Sequence, residues 1–331
     1  MSETSDPRAS STVSAWFARR TSDIDAWPIE RVRAAKGDAR VAVVLPARNE
    51  EATVGEIVVA IRAALGGSKP LVDDVVVVDS GSDDATAQVA ADSGARVVAL
   101  DEVLADFPPR PGKGEAMWRG VAATADADVV AFVDADLQSF DPRFVVALLG
   151  PLLADPDVQF VKAAYDRPPI DPSVPSNGGG RVTELMARPW LAAFWPALGG
   201  VLQPLAGEYA ARTSLLRRLP FRCGYGVDLG LLLDTYRLVG LDAIAQVDLR
   251  RRWHRHSDLP SLGRMAAEVM HTALDRLVDE GRLPGALDVA TQLHQPERLE
   301  GSVALRAHDV DVAQRPPLDS ISYSSRHQPT K

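Results

Sequence analysis

Two aspartates separated by one residue, Asp134 and Asp136, follow the apolar run Val129–Val133. At i, i+2 on an extended backbone, both carboxylates point to the same side. Two hard anionic oxygens at a strand exit suit Mg2+ or Mn2+, which can bridge to a substrate diphosphate. The competing reading is a solvated turn running into a helix cap, because Asp141 and Pro142 follow closely. Two more polar clusters come after apolar runs: Pro46-Ala47-Arg48-Asn49-Glu50-Glu51 and Asp79-Ser80-Gly81-Ser82-Asp83-Asp84. Ligands of an open α/β sheet bind outside the carboxyl ends of the strands, so polar strand ends converging on one crevice weigh toward a site.

Other patterns carry less. Gly112-Lys113-Gly114-Glu115 looks like part of a phosphate loop, but the G-x-x-x-x-G-K-[ST] spacing is absent. Asp79–Asp84 starts like a calcium loop, yet Asp84 and Ala90 stand where Gly and Glu are required. No G-x-G-x-x-G follows the first strand, which argues against a dinucleotide-binding domain. Cys223 has no evident base partner and reads as small core packing. Gly178–Gly180 with Arg181 and Thr183 is either a flexible linker or an anion cradle of backbone N–H groups, guanidinium and hydroxyl. Arg250–His256 carries four Arg and two His in seven residues, either a solvated basic face or an anion clamp.

The elements that must hold these residues alternate. Val41–Leu45, Val75–Val78, Arg96–Ala99, Val129–Val133 and Val158–Ala164 read as strands, and continuous apolar runs suit parallel strands buried on both faces. Residues 51–65, 84–92 and 113–124 read as intervening helices. The pattern predicts an α/β fold with a mainly parallel, doubly wound sheet. After a Pro/Ser/Gly-rich loop at 166–180 come helical stretches near 181–198 and 226–239, an apolar segment around Pro204–Tyr209 and a late strand at 242–249. Residues 257–283 form an amphipathic helix with Leu262, Met265, Val269, Ala273 and Leu277 on one stripe, which either closes the core or meets a second subunit. The expected organisation is an arm at 1–40 packing on the core, a catalytic domain at 41–256 (halves 41–165 and 166–256), a C-terminal helix at 257–285 and an extended or disordered tail at 286–331.

Composition bounds the partners. The chain has 331 residues, 36 Lys plus Arg against 45 Asp plus Glu, and a formal charge of −9, which makes a nucleic-acid surface unlikely on electrostatic grounds. A single cysteine excludes an internal disulfide framework and fits a reducing compartment. Apolar runs are strand-sized, and the longer stretch 226–247 is interrupted by Asp228, Asp234, Arg237 and Asp242, so no membrane span is expected. Residues 1–20 lack the apolar core of a secretory signal, and the expected location is cytoplasmic.

V-V-L-P-A-R-N-E-E (43–51), V-V-D-S-G-S-D-D (77–84) and V-D-A-D (133–136) resemble nucleotide-sugar glycosyltransferases of the GT-A fold. R-P-G-K-G-E-A-M-W-R (110–119), G-G-G-R-V-T-E-L (178–185), Q-P-L-A-G-E-Y-A (203–210) and G-Y-G-V-D-L-G-L-L-L-D-T (224–235) narrow the likeness to the glucosyl-3-phosphoglycerate synthase family, from Trp16 to about residue 280. The resemblance implies a GT-A fold with a C-terminal helical extension, and a retaining, metal-dependent transfer of glucose from UDP-glucose to 3-phosphoglycerate by a homodimer. It assigns Pro46, Ala47, Arg48, Asn49, Glu50, Ser80, Lys113, Asp134, Ala135, Tyr225, Gly226 and Asp228 to the nucleotide-sugar donor. Gly180, Arg181, Val182, Thr183 and His256 fall to the acceptor, Asp136 and His254 to Mg2+ or Mn2+, and Asp228, Lys113 and Asp136 to catalysis.

Two positions depart from that family's pattern: Asp228 stands where Glu is usual and His256 where Asn is usual. Either change bears on sugar or acceptor preference. The alternatives are a mannosyl-3-phosphoglycerate synthase using GDP-mannose and a catalytically impaired nucleotide-sugar-binding homologue.

Overall fold

The computed structural model of the chain describes residues 7–166, 180–251, 258–285, 287–299 and 302–321. It opens with α1 (Pro7–Arg20), β1 (Thr21–Asp23) and α2 (Ile29–Lys36). Strands and helices then alternate through β2 (Val41–Ala47), α3 (Val54–Leu65), β3 (Asp74–Asp79), α4 (Thr86–Asp92), β4 (Arg96–Ala99), α5 (Lys113–Ala123), β5 (Val129–Phe132), α6 (Arg143–Ala154) and β6 (Phe160–Asp166). Next come α7 (Arg188–Phe194), β7 (Tyr209–Arg212), α8 (Thr213–Leu216), β8 (Phe221–Arg222), α9 (Val227–Val239), β9 (Ile244–Arg251) and α10 (Leu259–Asp279). β10 (Gln292–Leu299), β11 (Ser302–Asp309) and β12 (Gln314–Arg315) are the last strands described.

Eight strands form one sheet in the order β1-β9-β6-β7-β5-β2-β3-β4. All its pairs are parallel except those of β7, which runs antiparallel between β5 and β6. Side chains alternate faces along each strand. Val41, Val43 and Leu45 enter one core with α3 and α6, while Ala42 and Val44 enter the other with α5 and α9. Both faces are therefore buried, which is why the strands read as unbroken apolar runs. No described helix is long and apolar enough to cross a membrane.

The arm does more than pack on the core. β1 pairs in parallel with β9 and supplies an edge strand of the sheet. Trp16 on α1 is only 1% exposed, and its indole N–H donates to the carbonyls of Leu241 and Ile244, each at 3.0 Å. α10 buries Val269, Ala273 and Leu277, so its apolar stripe closes the core that contains α9.

The tail departs from expectation over its described residues. β10 and β11 form an antiparallel hairpin, and β12 pairs with β8, while Trp118 Nε1 donates to the Pro316 carbonyl at 2.9 Å. Q-L-H-Q-P-E-R-L has no clean apolar alternation, because most of the hairpin's described side chains face solvent. The helices expected from 51 and 84 begin at Val54 and Thr86, because the residues before them bind neighbouring loops.

Trp16→Ala removes a fully buried indole and leaves two carbonyls without their donor. We expect it to cost about 3–5 kcal/mol of unfolding free energy in a denaturant titration, while a loss below about 1 kcal/mol, within the range of surface substitutions, would show that the arm is not part of the folding unit.

Candidate active site

The carboxyl ends of the parallel strands are tied to one another before they hold anything else. The Ser80 N–H donates to the Ala47 carbonyl at 2.9 Å, joining the exits of β3 and β2. Asn49, at φ 58°, donates its N–H to Ser82 Oγ at 2.9 Å and accepts the Asp83 N–H at 2.8 Å. Asparagine tolerates this left-handed conformation better than most residues. Thr53 Oγ1 donates to the Ala135 carbonyl at 2.6 Å, fixing the backbone between Asp134 and Asp136. The helix-cap reading of those aspartates is answered by Asp141, whose carboxylate accepts the Arg143 N–H at the start of α6.

Lys113 occupies the first residue of α5, and its glycine neighbours explain how it gets there. A Cβ at Gly112 would overlap the Cys223 carbonyl, and one at Gly114 would overlap the Arg222 carbonyl. Gly112, at φ 119°, also adopts a backbone conformation disfavoured for other residues. The glycines of G-K-G thus seat the helix against the 222–224 backbone. From there Lys113 Nζ lies 2.7 Å from Asp134 Oδ1 and 3.6 Å from Asp228 Oδ2. Burial alone would lower the lysine pKa, but Asp134, Asp228 and Glu208 hold it above its ordinary value.

Asp228, on the first turn of α9, is 6% exposed, and its Oδ1 is buried without a hydrogen-bond partner among the described residues. Burial raises its pKa, opposed by Lys113 and Lys162. Burial and then the nearby carboxylates, Asp228 first, also push the Tyr209 phenol well above its usual range, so it stays protonated.

Several residues here were not singled out from sequence. The backbone of Gly207 runs against the ion pair so closely that a Cβ would overlap Asp134 Oδ2 and Lys113 Nζ. Lys162 on β6 is buried, donates to the Ala206 carbonyl at 3.0 Å and lies 4.7 Å from the Tyr209 ring centre. Burial lowers its pKa to about 8, although Asp228 and Glu208 favour the charged form. A lysine inside the apolar strand F-V-K-A-A-Y was the available signal. Glu268 on α10 accepts the Tyr225 N–H at 2.5 Å, and a Cβ at Gly224 or Gly226 would overlap Glu268 or Thr272. Burial raises the Glu268 pKa to about 7, with the Tyr225 N–H opposing it, Asp311 adding to it and Arg264 opposing it.

The remaining expected residues are placed as follows. Pro46 and Ala47 end β2, Arg48 is exposed beyond it, and Glu50 donates its N–H to Thr86 Oγ1 at 2.7 Å. Asp134 and Asp136 are half-buried around buried Ala135, while Tyr225 is exposed and Gly226 buried. Gly180 accepts the Glu184 N–H at 3.0 Å; Arg181 is exposed, and Val182 and Thr183 are buried. His254 and His256 lie outside the described residues, as do Gly178 and Gly179. Arg250 does not serve as an anion clamp: its guanidinium is 3.0 Å from Asp23 and 2.5 Å from Asp25 of the arm. Cys223 is buried with its thiol pKa raised to about 12, first by burial and then by Glu115 and Asp311, which fits its reading as packing.

The family described as Glycosyl transferase family 2 matches residues 42–196. A glucosyl-3-phosphoglycerate synthase of Mycolicibacterium smegmatis is 46% identical over 307 residues, covering 92% of this chain and 98% of the relative. The chain belongs to the glucosyl-3-phosphoglycerate synthase family. Another family member, the synthase of Mycobacterium tuberculosis crystallised with Mn2+, UDP-glucose and phosphoglyceric acid, aligns at 46% identity and TM-score 0.77, covering 88% of this chain and 95% of that one. The mannosyl-3-phosphoglycerate synthase of Rubrobacter xylanophilus aligns at 38% identity and TM-score 0.85, covering 94% and 98%. The fold of this family member is accordingly GT-A.

The raised pKa of Glu268 sets a pH dependence. The folded chain holds this proton more tightly than the unfolded chain, so ionising Glu268 costs stability that accrues as pH rises from about 4.5 to about 7. In Glu268→Gln the amide oxygen still accepts the Tyr225 N–H. We expect its melting temperature to gain on the parent across that window and to stay above it beyond; parallel curves from pH 4 to 8 would contradict this.

Proposed function

We propose that this chain transfers glucose from UDP-glucose to 3-phosphoglycerate with retention of configuration at the anomeric carbon. The observation that carries the reading is the cluster of half-buried Lys113 and Asp134 with buried Asp228 at the crevice of the sheet, with Asp228 Oδ1 lacking a hydrogen-bond partner among the described residues. The Mycobacterium tuberculosis relative, crystallised with a glucose donor and phosphoglyceric acid, supports the substrate pair. The Mycolicibacterium smegmatis glucosyl relative, at 46% identity against 38% for the mannosyl enzyme of Rubrobacter xylanophilus, favours glucose.

In this reading the 46–50 segment, Ser80, Asp134 and Ala135 bind the nucleotide end of the donor, while Tyr225, Gly226 and Asp228 line its sugar. Gly180–Thr183 and His256 take the acceptor's phosphate and carboxylate. Asp134, Asp136, Glu208 and Asp228 outnumber Lys113 and Lys162 by two charges, so an anionic diphosphate needs a further cation. Carboxylate oxygens fit Mg2+ or Mn2+, and Asp136 with His254 would hold the ion. When bound, the metal offsets negative charge on the departing diphosphate.

The chain's own groups do the rest. Lys113, kept protonated by its carboxylates, presents a fixed cation on the donor side. Asp228 accepts hydrogen bonds from sugar hydroxyls through Oδ1 and, engaged by Lys113 and one methylene shorter than the usual Glu, is poorly placed to form a glycosyl ester. The acceptor hydroxyl therefore attacks the anomeric carbon on the face that UDP leaves, and the leaving phosphate oxygen takes the proton. The reading extends to a catalytic unit at 41–256 carrying the arm and the 257–285 helix. It includes a homodimer, supported by exposed Leu299, Val303 and Leu305 on the β10–β11 hairpin, and a cytoplasmic location, supported by the single cysteine.

A coupled UDP-release assay tests the reaction. UDP should appear only when UDP-glucose, 3-phosphoglycerate and Mg2+ or Mn2+ are all present, and EDTA should abolish it. Asp228→Asn should lower kcat roughly 100-fold, as removal of a group aimed at the transition state does. Faster turnover with GDP-mannose would reassign the donor, and a trapped glycosyl-enzyme would overturn the front-face displacement.

A further inference from the structure

Lys162 lies in the middle of β6 and is 1% exposed, the kind of position where an apolar side chain is the rule. Its strand partner across the β6–β7 pair is Tyr209, whose ring sits 4.7 Å beneath the ammonium. From there Nζ donates to the Ala206 carbonyl at 3.0 Å. The segment it grips is tethered to β6 at both ends: Gln203 Nε2 donates to the Tyr165 carbonyl at 2.9 Å, and the Ala163 N–H donates to the Glu208 carbonyl at 3.0 Å. Between those tethers, Gly207 runs against Asp134 and Lys113 with no room for a side chain. The groups that act on the ammonium come from every side of the crevice: Asp228 on α9, Lys113 on α5, Asp134 after β5, and Glu208 just before β7.

Stability does not account for this lysine. Burial lowers its pKa to about 8, so at neutral pH the folded chain holds the charge less favourably than water does. A lysine with a depressed folded pKa is a net cost to the fold until pH exceeds its ordinary value, and a hydrophobe of similar volume is often neutral or stabilising where a buried charge stood. What the charge supplies instead is local: a clamp on one carbonyl and a second cation among carboxylates that face the sugar.

We propose that Lys162 is a positioning residue for glycosyl transfer, holding the Leu205–Gly207 backbone against the Lys113–Asp134 pair. The proposal rests on the transfer reaction assigned above. Lys162 acts through the Ala206 carbonyl rather than by touching the donor, so its loss falls on turnover more than on donor binding.

Lys162→Met and Lys162→Arg test it, with melting temperature and steady-state kinetics measured on the full chain. Loss of one charged hydrogen bond that positions the site corresponds to roughly a 10- to 100-fold drop in kcat. We expect that drop in Lys162→Met, with the donor KM changed by less than about threefold and a melting temperature no lower than the parent's. Lys162→Arg, which keeps a charge and donors, should recover most of the lost turnover. Unchanged kcat in Lys162→Met would overturn the proposal. So would a joint fall of stability and turnover that Arg does not rescue, since that marks a structural lysine. If the parent makes no product from UDP-glucose and 3-phosphoglycerate, the substrate assignment fails by itself, and the same ratios are then read with GDP-mannose as donor.

Discussion

The contact between Lys113 and Asp134 constrains most of what surrounds it. A cation on the first residue of a helix faces the positive end of the helix dipole and is also partly removed from water, and both effects oppose its charge. Asp134 at 2.7 Å and Asp228 at 3.6 Å reverse that balance, but only if three elements from distant parts of the chain arrive in register. α5 reaches its place because Gly112 and Gly114 let it lie on the Arg222–Gly224 backbone. Asp134 is held by the β5 exit, whose Ala135 carbonyl is pinned by Thr53. Asp228 comes with the start of α9. A misplacement of any of the three leaves a buried charge without its counter-charge, which is far more costly than the pair is stabilising.

The C-terminal segments meet this constraint from behind. Glu115, two residues after Lys113, is buried with Arg119 Nε at 2.8 Å and Arg315 Nε at 2.6 Å. Burial pushes the Glu115 carboxyl up, yet the two guanidinium groups hold it below its ordinary value. Arg315 lies on β12, which pairs with β8, and the Cys223 N–H donates to the Ala313 carbonyl at 2.9 Å. Arg222 meanwhile contacts Asp275 on α10 and the Val312 carbonyl. The same backbone on which α5 rests is thus clamped by α10 and by the strap beyond it. The turn at Tyr225 continues from this clamp, with Glu268 as its last fastening.

The legible parts of this molecule are those encoded over short stretches. Val75–Val78 or Val129–Val133 declares a buried strand by its own composition, and the polar residues just after each run mark the crevice without knowledge of strand order. Asp134 was legible for the same reason, in a compact motif at a strand exit, whereas Lys113 and Asp228 stood out only through the resemblance of R-P-G-K-G-E and G-Y-G-V-D-L to a known family. Strand order and pairing are encoded in no window. The antiparallel insertion of β7 between β5 and β6 makes Lys162 and Tyr209 cross-strand partners, yet they are 47 positions apart in sequence. The Arg315–Glu115 contact spans 200 positions, and the tail that carries it reads as a polar extension. The Arg250–His256 run shows the converse, since its composition suggested an anion clamp while Arg250 is committed to Asp23 and Asp25 of an arm more than 220 residues earlier.

Net charge is misleading for the same reason that composition is. A total of −9 says that the surface repels polyanions, and it says nothing of one crevice. In the proposed reaction the acidic excess inside that crevice has a use: Glu208 and Asp228 would accept hydrogen bonds from a neutral sugar with many hydroxyls, while Asp134 and Asp136 at the strand exit would face a divalent cation and a diphosphate. Two lysines are too few to neutralise four carboxylates, so on the proposed reading a bare diphosphate would meet excess negative charge there and one arriving with a metal would not. A selectivity for a metal-bound nucleotide sugar over free phosphate would then follow from an incomplete internal charge balance. A third lysine in the crevice would bring the charge nearer to balance and blunt that selectivity.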